Sequence, residues 1–103
     1  FDVLLTPITP TTAIRHDHSN PVFKRQITVA GQPRAYMDQF CWIALATLLG
    51  LPATSVPIGR TQEGLPFNVQ VIGAPGMDLT TIGFAGLLEE AGLAGFERPT
   101  PLG

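Results

Sequence analysis

The sequence predicts an α/β segment in the order strand, long loop, helix, strand, strand, helix. Three observations predict it. Met37, Phe40, Cys41, Ala44, Leu45, Leu48 and Leu49 recur at three- and four-residue steps, the spacing of a helix. Phe67-Asn68-Val69-Gln70-Val71 alternates apolar with polar, the spacing of a strand. The remaining apolar runs are short and end at prolines, which act as punctuation.

The first element is the run 2–5, ended by Thr6-Pro7, which reads as a buried strand. From 6 to 35 the pattern breaks, with Pro7, Pro10, Pro21 and Pro33 among polar residues, and a long loop is expected. The span 36–49 reads as a helix that is apolar all round, hence buried, with Asp38 near its start suiting the helix dipole. Gly50 is the expected C′ residue and Pro52 the stop.

A strand follows over 53–58. Pro57 lacks an amide donor and belongs at an edge or a bulge. The polar stretch 59–66 is turn chemistry, so the runs 53–58 and 67–71 are expected to form a hairpin, the second half-buried. Asp78 is a candidate N-cap for a helix over 79–91, whose apolar stripe is Leu79, Ile82, Ala85 and Leu88. Gly83 and Gly86 inside it suggest close packing on another element. The span 93–103 reads as a tail.

At 103 residues the chain has room for one domain at most. Its 45% hydrophobic content excludes a disordered tail. Its 14% charged content is low beside the roughly 25% of a typical soluble domain, so apolar surface should need a cover. A net charge of −2 with no basic stripe argues against nucleic acid or an anionic membrane as partner. No apolar run reaches the roughly 18 residues that span a bilayer. One cysteine, Cys41, excludes an internal disulfide framework and a Cys-based zinc cluster. The chain opens with Phe1 inside an apolar run and without the basic start of a signal peptide. The expectation is a piece of a longer polypeptide, 1–103 being the C-terminal segment of a single larger domain, with a cytoplasmic location.

One block is more specific. Gly50-Leu51-Pro52-Ala53-Thr54-Ser55-Val56-Pro57-Ile58-Gly59 is followed by Gly64-Leu65-Pro66 and then Val69-Gln70-Val71-Ile72-Gly73, and preceded by Asp2-Val3-Leu4-Leu5-Thr6-Pro7. This ordered set resembles the C-terminal part of the amidase signature family, over nearly the whole chain from Asp2 to about Glu90.

The resemblance implies a mixed β-sheet flanked by helices, and a parent enzyme that hydrolyses a carboxylic amide C–N bond. In that family a Ser nucleophile, a second Ser in a cis peptide and a neutral Lys form the catalytic group, and an acyl-serine intermediate is hydrolysed by water. Backbone amides stabilise the oxyanion, and no metal or cofactor is needed. All these residues lie N-terminal of the matched segment, so no catalytic residue is expected here and the chain alone is expected to be inactive. Its partners would be a small amide substrate and the missing N-terminal part of the same fold; homodimers are common among relatives.

Chemistry from the chain's own residues is weaker. Ser19, Ser55 and Lys24 match a Ser-Ser-Lys set by count, but neither serine adjoins a glycine, and the Ser55 hydroxyl is expected to bond backbone. Lys24 reads as solvated. His16-Asp17-His18 offers too few ligands for zinc. Cys41 on a buried helix would be an inert core thiol. The loop 59–64 lacks the Gly-Lys-Ser/Thr ending of a phosphate loop. The resemblance leaves five pocket candidates: Thr9 and Thr11 after the first strand, and Asp38, Phe40 and Trp42 on the helix. On an α-helix Phe40 and Trp42 would point about 200° apart, so at most one faces a given cavity, and both can be core. Asp38 could meet a substrate amine or simply serve the helix start. A second functional class stays open: a non-catalytic interaction module or subunit with an amidase-like fold fragment, its apolar helix being the interface.

Overall fold

The computed structural model describes residues 1–101. Three antiparallel strands form the main sheet in the order β1 (Val3–Pro7), β5 (Pro66–Gly73), β4 (Ala53–Arg60). The expected hairpin is present: β4 and β5 pair with Ser55 opposite Gln70 and Val56 opposite Val69. Pro57 sits on this outer strand where the register shifts between Pro57 and Gly59. A missing amide donor is tolerated in such a place.

β5 is central and is buried on both faces over Gln70, Val71 and Ile72. The strand expected to be half-buried by alternation is instead exposed over Pro66, Phe67 and Asn68 and buried from Gln70 to Gly73. The helix α2 (Asp78–Glu90) packs on β4 and β5. Gly73 lies beneath it: a Cβ there would stand 2.7 Å from Thr81 Cγ2. By the period of two, Val71 shares that face, while Gln70 and Ile72 share the other.

α2 differs from its expected stripe. Leu79 and Ile82 point to solvent at 84% and 56% exposure, and the inward row is Thr81, Phe84, Ala85 and Leu88. A polar residue won the inner position because its hydroxyl has two partners there, the Asp78 carbonyl and the Thr54 hydroxyl. The residue before the helix is Met77, and Asp78 is its first turn rather than its cap. Gly83 and Gly86 have no atom within 4 Å of where a Cβ would stand, so they are not close-packing glycines among the described residues.

The helix expected over 36–49 splits. Tyr36–Phe40 is a 3-10 helix, a turn follows, and only α1 (Ala44–Leu49) is α-helical, closed by Gly50 at φ 64°. The Cys41 amide bonds the Asp38 carbonyl, three residues back, at 3.2 Å. The span is also not buried: Met37, Phe40, Trp42, Leu45, Leu48 and Leu49 are exposed and only Ala46 is enclosed. Cys41 is an exposed free thiol, not a core one.

The span 6–35 is not all loop. Thr6 and Pro7 belong to β1, Val22–Lys24 is a 3-10 turn, and β2 (Gln26–Val29) pairs antiparallel with β3 (Gln32–Ala35). Ala30 and Gly31 make the two-residue turn with φ of 49° and 78°, the positive pair that a type I′ hairpin needs. Arg25 ties this region down: its Nε donates to the Ser19 carbonyl at 2.6 Å and its guanidinium lies over the Tyr36 ring. The tail follows α2 without further helix or strand among the described residues, and Gly95 returns to the sheet through its amide to the Pro57 carbonyl. Residues 102–103 of the predicted tail lie outside the described residues.

Candidate functional site

The end of β1, where Pro7 pairs with Val69, launches the chain over the turn end of the β4–β5 hairpin. The two together enclose a cleft of about 560 Å³, lined by Pro7, Ile8, Thr9, Thr11, Thr12 and Ala13 on one side and Ile58, Pro66, Phe67, Asn68 and Val69 on the other. No ionisable side chain among the described residues lines it. Such a wall suits a neutral, largely apolar group, oriented by a few hydroxyl and amide contacts.

Thr9 and Thr11, both predicted pocket residues, meet in this cleft. The Thr9 hydroxyl donates to the Thr11 carbonyl at 2.6 Å, which fixes the loop and leaves the Thr9 oxygen free only to accept. The other three candidates stand apart. Asp38 pairs with Arg34 Nε at 3.1 Å, tying the 3-10 helix to β3. Phe40 ends that 3-10 helix and Trp42 lies in the turn after it, both exposed, so the α-helical angle between them does not apply.

Trp42 is nonetheless joined to the cleft through its backbone. The Gln70 Nε2 donates one N–H to the Trp42 carbonyl at 2.9 Å and the other to the Pro7 carbonyl at 3.1 Å. Gln70 is 5% exposed. A buried amide that satisfies two carbonyls from separate segments is a cross-link, not a solvated side chain. Gln70 was readable only as the outward polar residue of an alternating strand; the misleading signal was the alternation itself. The aromatic and amide contribution of Phe67 and Asn68 to the cleft was likewise hidden within a strand.

The residues considered for other chemistry are placed as follows. Ser55 accepts a hydrogen bond from Asn68 Nδ2 at 2.9 Å, a side-chain partner where a backbone one was expected. Ser19 and His18 are exposed on the loop and Lys24 at the end of the 3-10 turn after it, all far along the chain from Ser55. His16 and His18 stack edge to face with ring centres 5.9 Å apart. Among the described residues no group of three His, Cys, Asp or Glu side chains converges as metal ligands would. No helix among them is long and apolar enough to cross a membrane.

Comparison with known proteins places these observations. The model of the family described as Amidase matches residues 1–82. The fatty acid amide hydrolase of Arabidopsis thaliana is 36% identical over 91 residues, which are 86% of this chain and 14% of that protein. A glutamyl-tRNA(Gln) amidotransferase chain of Zymomonas mobilis is 40% identical over 96 residues, 92% of this chain and 17% of that protein. A solved structure described as an amidase superposes with a TM-score of 0.68 at 27% identity, covering 87% of this chain and 19% of its own. The chain thus spans under a fifth of the length of the proteins it resembles.

Proposed function

The chain belongs to the amidase family, and from that premise we propose that it is part of an enzyme hydrolysing a carboxylic amide C–N bond through an acyl-serine intermediate. A serine outside this chain attacks the substrate carbonyl, its proton passing through a second serine to a lysine. The tetrahedral intermediate expels the amine, which takes the proton as it leaves. Water then hydrolyses the acyl-serine to the carboxylic acid and restores the serine. This chain contributes sheet, helix and a cleft wall; it contributes neither nucleophile nor base.

The observation that carries the reading is the uncharged cleft between the Thr9–Thr11 loop and the β4–β5 hairpin. Its lining fits the uncharged acyl portion of an amide better than an ionic substrate, because an ion would lose hydration there without a counter-charge. The relative named fatty acid amide hydrolase supports the bond class and the apolar acyl group.

The test is labelling of the full-length enzyme with a fluorophosphonate during amide turnover, followed by peptide mapping. The adduct is expected on a serine outside residues 1–103, and the isolated chain is expected to show no turnover. An adduct on Ser19 or Ser55 that blocks hydrolysis overturns the assignment.

A further inference from the structure

We propose that Gln70 is a positioning residue for acyl binding: its two amide hydrogens hold the cleft loop against the Trp42 turn and so set the shape of the acyl wall. The inference rests on the reading of the cleft as the acyl site.

Gln70 sits mid-strand in β5, paired with Thr6 on one side and Ser55 on the other. Its backbone is committed to the sheet, so its side chain is free to bond elsewhere. Pro7, one acceptor, is the last residue of β1 and itself lines the cleft; Ile8, Thr9 and Thr11 come directly after it. Trp42, the other acceptor, lies between the 3-10 helix Tyr36–Phe40 and α1. These two segments are distant in sequence, and one nitrogen atom fixes both carbonyls. Only a neutral group with two donors serves here. A carboxylate would face two carbonyl oxygens with its own lone pairs, and a thioether would offer nothing. With Gln70 unable to donate, the exit of β1 loses one restraint and the Trp42 turn another, and the cleft wall can drift. Drift of a remote wall weakens contacts to the acyl group while leaving reacting groups held elsewhere unmoved.

The test uses the full-length enzyme and two amides, one with an acyl chain long enough to fill the cleft and one acetamide-sized. Gln70→Met keeps length and volume and removes both donors. It is expected to raise KM for the long amide about tenfold, with kcat and the short-amide kcat/KM changed less than about twofold. A merely structural role would lower kcat for both amides alike. Either that result or no change in KM overturns the inference. Gln70→Glu gives a second measurement if the Met variant folds poorly. Burial should raise its carboxyl pKa, and acidification should restore one donor. The long-amide KM relative to wild type is then expected to fall as pH falls, and a ratio flat with pH overturns the inference. Thr11→Phe, which fills the cleft, separates the two levels. If it leaves the long-amide KM unchanged, the acyl reading of the cleft is wrong. If it raises that KM while Gln70→Met does not, the Gln70 inference alone is wrong.

Discussion

Thr54 donates its hydroxyl hydrogen to Thr81. The two oxygens are 2.8 Å apart, and either could donate on distance alone. Thr81 Oγ1 also lies 2.8 Å from the Asp78 carbonyl, which can only accept. A hydroxyl has one hydrogen, so Thr81 gives its own to Asp78 and receives that of Thr54. Thr81 is 1% exposed and thereby joins the first turn of α2 to β4.

This directionality makes the two threonines unequal. Thr81→Val strands the Thr54 donor and deprives the Asp78 carbonyl of its side-chain partner. It should destabilise the protein by about 1–3 kcal/mol. Thr54→Val leaves Thr81 still bonded to Asp78 and should cost less than about 1 kcal/mol. Denaturant midpoints of the two variants check the order; equal losses would show the donor assignment to be wrong.

The Thr81 methyl makes a second, separable demand. Gly73 approaches so closely that any Cβ would meet Thr81 Cγ2 at 2.7 Å. Gly73→Ala should therefore cost about 1–3 kcal/mol through overpacking. Thr81→Ser removes the methyl and keeps the hydroxyl, so it should rescue Gly73→Ala. The coupling in the double-mutant cycle should be at least about 0.5 kcal/mol. Additive losses would mean that another contact, not this methyl, excludes a side chain at Gly73.

The parts of the fold legible in the sequence are those in which local chemistry and tertiary demand agree. The β4–β5 hairpin announced itself because Pro57 suits an outer strand and the polar 59–66 stretch suits a turn, although Gly59, Arg60 and Pro66 of that stretch are themselves paired in the hairpin. Gly50 ended a helix where a left-handed residue was needed. The β2–β3 hairpin stayed hidden because its turn uses Ala30-Gly31, without the usual Asn or Asp, and Pro33 looked like a breaker. The break at Cys41 stayed hidden because apolar spacing alone does not separate a helix from a 3-10 turn followed by a short helix. Thr9 and Thr11, singled out through family resemblance, do line the cleft, while Asp38, Phe40 and Trp42 do not. Gln70 was missed because burial of a polar side chain depends on where two distant carbonyls lie, and no local pattern encodes that.

The loop around Asp17 should report its own order through pH. The Ser19 hydroxyl and then the Ser19 backbone N–H, the latter 2.9 Å from Asp17 Oδ1, hold the Asp17 carboxyl below its ordinary value of 3.8. A depressed folded value means that the turn's stabilisation is present above the unfolded value. It is lost as pH falls through the folded one. Ser19→Ala removes the leading cause, so the Asp17 titration followed by NMR should move up toward 3.8. No movement would mean that the Ser19 hydroxyl does not hold this carboxylate in solution.

Ser55 supplies the sharpest test of the proposal that the reacting groups lie elsewhere. A nucleophilic serine needs a base to receive its proton. The partner of Ser55 Oγ is the Asn68 Nδ2 group, which donates and has no lone pair to accept a proton. Asn68 also lines the cleft, so Ser55 steadies a wall residue across the hairpin. In the full-length enzyme Ser55→Ala should leave kcat within about twofold, and should raise KM for a cleft-filling amide about threefold at most as Asn68 loses its acceptor. A fall in kcat of about a thousandfold or more would make Ser55 the nucleophile and remove the basis for placing the chemistry outside this chain.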